Sequence, residues 1–116
     1  MKIVMISRWD GVRPGAAAAL AQYAGEAAEF WQRMKADGTV ESRNEYAPMQ
    51  HTGGLNVTVF PDQDRYNALQ ADPEWMKLTA TAGLLLQGYG WEPYTPQEDI
   101  PEGLLGWWFE KAMATG

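Results

Sequence analysis

The chain holds one histidine and no cysteine, so any chemistry must come from His51 and from hydroxyl, amide, carboxylate and guanidinium groups. His51 lies in Met49-Gln50-His51-Thr52-Gly53-Gly54, a loop sequence, and alone among the side chains has an ordinary pKa near neutrality. It is the first acid/base candidate, set against the plainer reading of a solvated loop histidine. Thr52-Gly53-Gly54 is not a phosphate loop, because no Lys-Ser/Thr pair follows and no helix starts there. Glu41, Arg43 and Glu45 recur at two-residue spacing on one side of a strand, and Arg8 is expected to join them from the first strand. Such a set can raise the pKa of one carboxylate for proton abstraction. It can equally form an ion-pair ladder between subunits, the reading preferred here. Ser7, Asn44, Tyr46, Asn56, Thr58, Tyr89 and Trp91 add hydrogen-bonding and aromatic groups from all the strands. An enzyme built from these would work by positioning and proton transfer, with Tyr, Asn and Arg stabilising an enolate or phenolate.

Composition narrows what can bind. A net charge of −6 with scattered basic residues argues against nucleic acid, whose binding draws on concentrated positive charge. One histidine and no thiolate leave no ligand set for a dedicated zinc or iron site, so no metal and no cofactor are expected. No apolar run approaches the roughly 20 residues of a membrane span. The first residues lack a signal-peptide core, so the chain reads as cytoplasmic with no membrane partner. At 116 residues with 46% hydrophobic content and six Trp, it is a packed globular protein at the small end for a self-sufficient core.

The hydrophobic period changes along the chain in the order strand, long helix, strand, strand, broken helix, strand. Lys2 to Trp9 is apolar on both faces, as in a strand buried on both sides. Ala16 to Ala36 repeats Leu20, Tyr23, Ala27, Phe30, Trp31 and Met34 at helical spacing, with alanines holding the propensity high. Thr39 to Ala47 has no plainly apolar face and reads as an edge strand or the lining of a wet cavity, whereas Leu55 to Phe60 alternates clearly. Asp62 and Asp72-Pro73-Glu74 are two helix starts ten residues apart, so the second helix breaks near Asp72. Leu84 to Tyr94 closes the unit as a strand with Gly88 and Gly90 on one face. This is an α+β, ferredoxin-like β-α-β-β-α-β order over residues 1–94, with a four-stranded antiparallel sheet covered by helices on one face. The other face needs cover, and a second copy of the chain is expected to supply it. Residues 95–116 form a Pro-rich hinge and an extra amphipathic helix, Glu102 to Ala112, whose Leu104, Leu105, Trp108 and Phe109 are expected to dock on a neighbouring subunit or across a pocket mouth.

These elements resemble the dimeric α/β barrel superfamily of small ferredoxin-like proteins, the most family-like stretches being Glu26 to Glu45 and Asp72 to Leu78. The resemblance implies a homodimer joined through the sheet faces. It also brings several possible activities: cofactor-free quinone-forming monooxygenases, haem-degrading monooxygenases, polyketide cyclases and isomerases. The haem-degrading members use a His on the second helix, where this chain has Thr79, Ala80, Thr81 and Ala82, so that role lacks its ligand. The cofactor-free monooxygenases keep Asn and Trp beside a pocket between sheet and helices. By that resemblance Trp75 and Asn56 join His51 as the catalytic candidates, against the plainer reading of Trp75 as a core anchor, and Tyr46, Tyr89, Trp91 and Arg43 would bind a small aromatic or polyketide-like substrate. The competing expectation is a dimeric binding or accessory protein without catalysis.

Overall fold

The computed structural model describes residues 1–100 and 103–115. In chain order its elements are β1 (Ile3–Trp9), β2 (Gly11–Val12), α1 (Ala17–Ala36), β3 (Ser42–Tyr46), β4 (Gly54–Phe60), α2 (Gln63–Gln70), α3 (Pro73–Leu85), β5 (Leu86–Gln87), β6 (Gly90–Tyr94), a short 3-10 turn (Gln97–Asp99) and α4 (Gly103–Thr115). The main sheet is antiparallel in the order β3-β4-β1-β6. This is the ferredoxin-like arrangement, with β1 and β4 central and the polar β3 at an edge. The sheet of one chain is open, not a closed barrel.

Register decides what each face carries. Ser7 stands opposite Asn56 and Trp91, Met5 opposite Thr58 and Pro93, and Arg43 opposite Thr58. Because side chains alternate, these residues share the helix-covered face. There Ile3, Met5, Phe60, Leu69, Leu78, Val40, Phe30, Trp31 and Trp75 form the core. The opposite face carries Val4, Ile6, Leu55, Val57 and Val59, half-buried, and no helix of the main α/β unit lies over it.

The helix boundaries follow their caps. The Asp62 carboxylate accepts from Arg65 N at 2.9 Å, and that of Asp72 accepts from Glu74 N and Trp75 N at 2.8 and 3.2 Å. With Pro73 in the first turn, the second cap starts α3 three residues before Trp75 and fixes its place over the sheet.

Three expectations are corrected. Leu84 to Tyr94 is not one strand: α3 runs through Leu85, and β5 pairs with β2 in a separate two-stranded ribbon. Gly88 then turns the chain at φ +66° before β6 begins, a conformation that glycine adopts without strain. Arg8 pairs in register with Leu55 and Gly90 and so lies on the face opposite Arg43. Within the chain, Lys2 pairs with Glu41 at 2.8 Å, while Arg43 and Glu45 border the space between α1 and the sheet. The second strand is also shorter than Thr39 to Ala47, since the edge strand pairs with β4 only from Ser42.

Beyond β6, Ile100 is buried and Asp99 accepts from Lys2 N at 3.1 Å, so the segment before α4 is tied to the start of β1. α4 itself exposes Leu105, Trp108, Phe109 and Met113. Pro101, Glu102 and the side chain of Leu104 lie outside the described residues. The radius of gyration is 16.1 Å, against about 13 Å for a compact chain of this length. No helix among the described residues is long and apolar enough to cross a membrane.

Candidate active site

Between α1 and the sheet lies a cavity of about 580 Å³. Its roof is the α1 stripe Leu20, Tyr23, Ala24, Ala27, Ala28 and Trp31, and its floor is Ser7, Trp9, Arg43, Glu45 and Asn56, with Trp75, Leu86 and Tyr89 closing one side and Gln32 and Lys35 at the mouth. The volume comes from side-chain size. Phe30 and Trp31 of α1 reach into the core, while the small side chains of Ala24, Ala27 and Ala28 leave room beside it. Gly54 makes a second contribution: a Cβ there would come within 2.2 Å of the Trp9 ring. Only glycine lets that indole lie across its cross-strand neighbour at the cavity wall.

The aromatic side wall is a chain of ring contacts, edge-to-face among the tryptophans and tilted between Tyr89 and Trp91. Trp31 and Trp75 are 5.5 Å apart between ring centroids, Trp75 and Trp91 also 5.5 Å, and Tyr89 and Trp91 5.9 Å. Such pairs hold their rings in fixed planes. Trp75 Nε1 donates to Gln70 Oε1 at 3.4 Å, which orients the indole from behind.

Arg43 is the charged group of the floor, with its side chain only 12% exposed. Its guanidinium carbon sits 4.4 Å from the centroid of Trp31, a cation–π stack. Nη1 donates to Thr58 Oγ1 at 3.2 Å. The Asn56 amide is satisfied at both ends when its oxygen accepts from Arg43 Nη2 at 3.0 Å and its nitrogen donates to the Leu55 carbonyl at 3.1 Å. Glu45, 75% exposed, approaches Nη2 to 3.6 Å. Burial lowers the Arg43 pKa from its ordinary value while Glu45, Tyr23 and Tyr89 push it back, and a guanidinium remains protonated at neutral pH. Burial likewise pushes the Tyr23 phenol up, and the Tyr89 phenol well up, with Tyr23 adding to the rise at Tyr89 and Arg43 opposing it at both. Both hydroxyls are therefore neutral donors at physiological pH.

Of the residues singled out in the sequence, Asn56, Trp75, Tyr89 and Arg43 share the cavity wall. Trp91 stands behind Trp75 as its packing partner. Tyr46 is in register with Leu55, hence on the opposite face, and is 54% exposed. His51 is in the exposed loop before β4, where Nδ1 accepts from Gly53 N at 3.0 Å. The cavity also uses Trp9, Tyr23, Trp31 and the three alanines of α1. The helical spacing of Tyr23, Ala27 and Trp31 marked the face that meets the sheet, but Trp9, Ala24 and Ala28 were not singled out, and the spacing did not show that a cavity lies beneath this part of α1. Among the described residues, no group of three His, Asp or Glu side chains is arranged to hold a metal ion.

No protein-family model matches the chain, and no curated protein matches it. Solved structures do. Rv0793 from Mycobacterium tuberculosis superposes with a TM-score of 0.66 at 18% identity, over 86% of this chain and 99% of that one. A variant of SnoaB, a cofactor-independent oxygenase from Streptomyces nogalater, gives 0.65 at 16% identity, over 86% and 97%. A dimeric ferredoxin-like protein of unknown function from Jannaschia sp. CCS1 gives 0.64 at 7% identity, over 82% and 99%. The strand order, the single helical layer and these superpositions together identify the chain as having a ferredoxin-like α+β fold.

Proposed function

We propose that the chain is a small enzyme that uses no bound cofactor and acts on an aromatic or polyketide-like compound in the cavity beneath α1, by oxygenation or isomerisation. It would work as a homodimer joined through the open sheet faces. The observation that carries this reading is the cavity: five aromatic side chains wall it and Arg43, Asn56 and Ser7 gather at its floor. Its volume is within the range of about 300–1,000 Å³ typical of small-molecule sites. A planar ring system fits between such walls, and an enolate or phenolate would have its negative charge beside Arg43 and the neutral donors. In the oxygenation, a ring methylene becomes a carbonyl. Dioxygen gives one atom to that carbon, and the other leaves as water with the two hydrogens, so the substrate supplies the electrons. The oxygenase among the structures of similar fold supports this choice, and the dimeric protein among them supports a dimer; pairing would bury the half-exposed apolar side chains of Val4, Ile6, Leu55, Val57 and Val59.

A second reading, a binding or accessory protein without turnover, is favoured by the cavity's proton acceptors. His51 is outside it, and its one carboxylate, Glu45, is mostly in solvent. A thermal-shift screen against phenols, quinones and polyketide-like compounds, followed by oxygen uptake with dithranol, separates the two. Stabilisation by a ligand with oxygen uptake and quinone formation, or with conversion to an isomer, supports the enzyme. Stabilisation with no turnover of any binding compound supports the accessory protein. A screen in which no aromatic compound raises the melting temperature contradicts both.

A further inference from the structure

Resting on that reading of the cavity, we infer that its ligand is an aromatic acid bound as its anion, with Arg43 as the residue that selects it and Glu45 as the counter-ion that gives way. The charge distribution is the first ground. The chain carries −6 overall, yet the charged groups of the cavity wall are two cations, Arg43 and Lys35, against the single carboxylate of Glu45. The second is how Arg43 is partnered. Thr58 and Asn56 each engage one N–H of its fork with a neutral oxygen. Its one ionic partner among the described residues, Glu45, stands at 3.6 Å, longer than a charge-assisted hydrogen bond, and mostly in water. A cation this far from solvent has lost hydration that a loose, exposed partner does not replace. An anion entering the cavity supplies the close contact that is missing, and Glu45 is free to swing into solvent as it arrives.

The neutral groups agree. Tyr23 and Tyr89, held protonated by burial, line the same space, so the polar inventory is rich in donors and matches an acceptor-only group. A carboxylate, an acidic phenol or a stabilised enolate on a ring system fits this chemistry. The guanidinium carbon sits over the Trp31 ring at 4.4 Å from its centroid, so an acid bound to Arg43 has the aromatic wall beside it for its ring.

The test compares a naphthoate with the naphthamide of the same substitution, two probes of equal ring area that differ in charge, by calorimetry and quenching of indole fluorescence. The wild-type chain is expected to bind the naphthoate at least about tenfold more tightly, a factor equal to about 1.4 kcal/mol. Arg43→Gln should abolish the preference, Arg43→Lys should retain part of it, and Glu45→Gln should tighten the naphthoate a few-fold while leaving the naphthamide unchanged. Equal binding of the two probes overturns the anion inference and leaves the aromatic cavity reading standing. Binding of neither overturns both. A preference that survives in Arg43→Gln removes Arg43 from the role. If that variant does not fold, Glu45→Gln decides, because an unchanged naphthoate affinity contradicts the displacement.

Discussion

The layer between sheet and helices has two ends with opposite characters, although the same strands and the same helix build both. At one end Ile3, Met5, Thr58 and Phe60 from the central strands meet Phe30, Leu69 and Leu78, and the space is filled. One or two alternations along each strand, Met5 gives way to Ser7 and Thr58 to Asn56, and a turn or two back along α1, Phe30 gives way to Ala27 and Ala24. The filled end opens into the cavity there, with Trp31 and Trp75 on the boundary. The lesson concerns where stability and function sit. The packed end fixes the spacing of helix and sheet, and the other end uses that spacing to hold open a volume its own side chains do not fill.

This contrast is broken most easily at its packed end. Phe60→Ala should cost about 3–5 kcal/mol in denaturant unfolding, the usual penalty for emptying a buried aromatic site. That is a large part of the total for a domain with typical stability of about 5–15 kcal/mol. A loss under about 1 kcal/mol would mean the packed end does not hold the layers apart. Next in size is the open face of the sheet, which the proposed dimer buries. Val57→Asp would place a carboxylate in that interface twice by symmetry. It should weaken association by on the order of 3 kcal/mol, about two decades in the dimer constant measured by sedimentation. The helix-covered cavity of each chain should be untouched.

At the cavity end the effects on stability are smaller and those on binding larger. Arg43→Met replaces a poorly compensated buried cation with an apolar group of similar length. Unfolding free energy should stay within about 1 kcal/mol of wild type or rise, since such exchanges are often neutral or stabilising, while affinity for an aromatic acid falls. Ala24→Leu fills empty volume and should leave the melting temperature unchanged or raised while blocking ligand, the reverse of what Phe60→Ala does. The smallest effect is at alkaline pH. The folded pKa of Tyr89 is raised above the ordinary 10.0 by burial, so the folded chain holds a proton that the unfolded chain releases. Its contribution is fully present below pH 10 and is lost as pH rises through the folded value. The melting temperature should therefore fall above pH 10, and less steeply in Tyr89→Phe.

Much of this was legible in sequence for definite reasons. The caps at Asp62 and Asp72 marked both starts of the broken helix, and strand parity put Arg43 on the side of Glu45 and away from Asn44 and Tyr46. Parity groups residues without saying which face the helices cover. On β3, where neither face is apolar, nothing in the local pattern tells that the Arg43 side lies under α1. The same ambiguity set Arg8 beside Arg43, when the register with Leu55 turns it away. His51 lies in a loop, where alternation gives no direction at all. The alanines of α1 read as helix formers because propensity is a property of one segment. A cavity is a property of two surfaces, and appears only when Phe30 and Phe60 have fixed how far apart those surfaces stand.

Whether the cavity beneath α1 is a ligand site organised on Arg43 would be visible in a crystal structure of the chain with a bound naphthoate. The ring is expected between Trp31, Trp75 and Tyr89, with the carboxylate on the Arg43 guanidinium and Glu45 turned away from it. A naphthoate found on the open sheet face or along α4, with the cavity empty and Glu45 still beside Arg43, would contradict it.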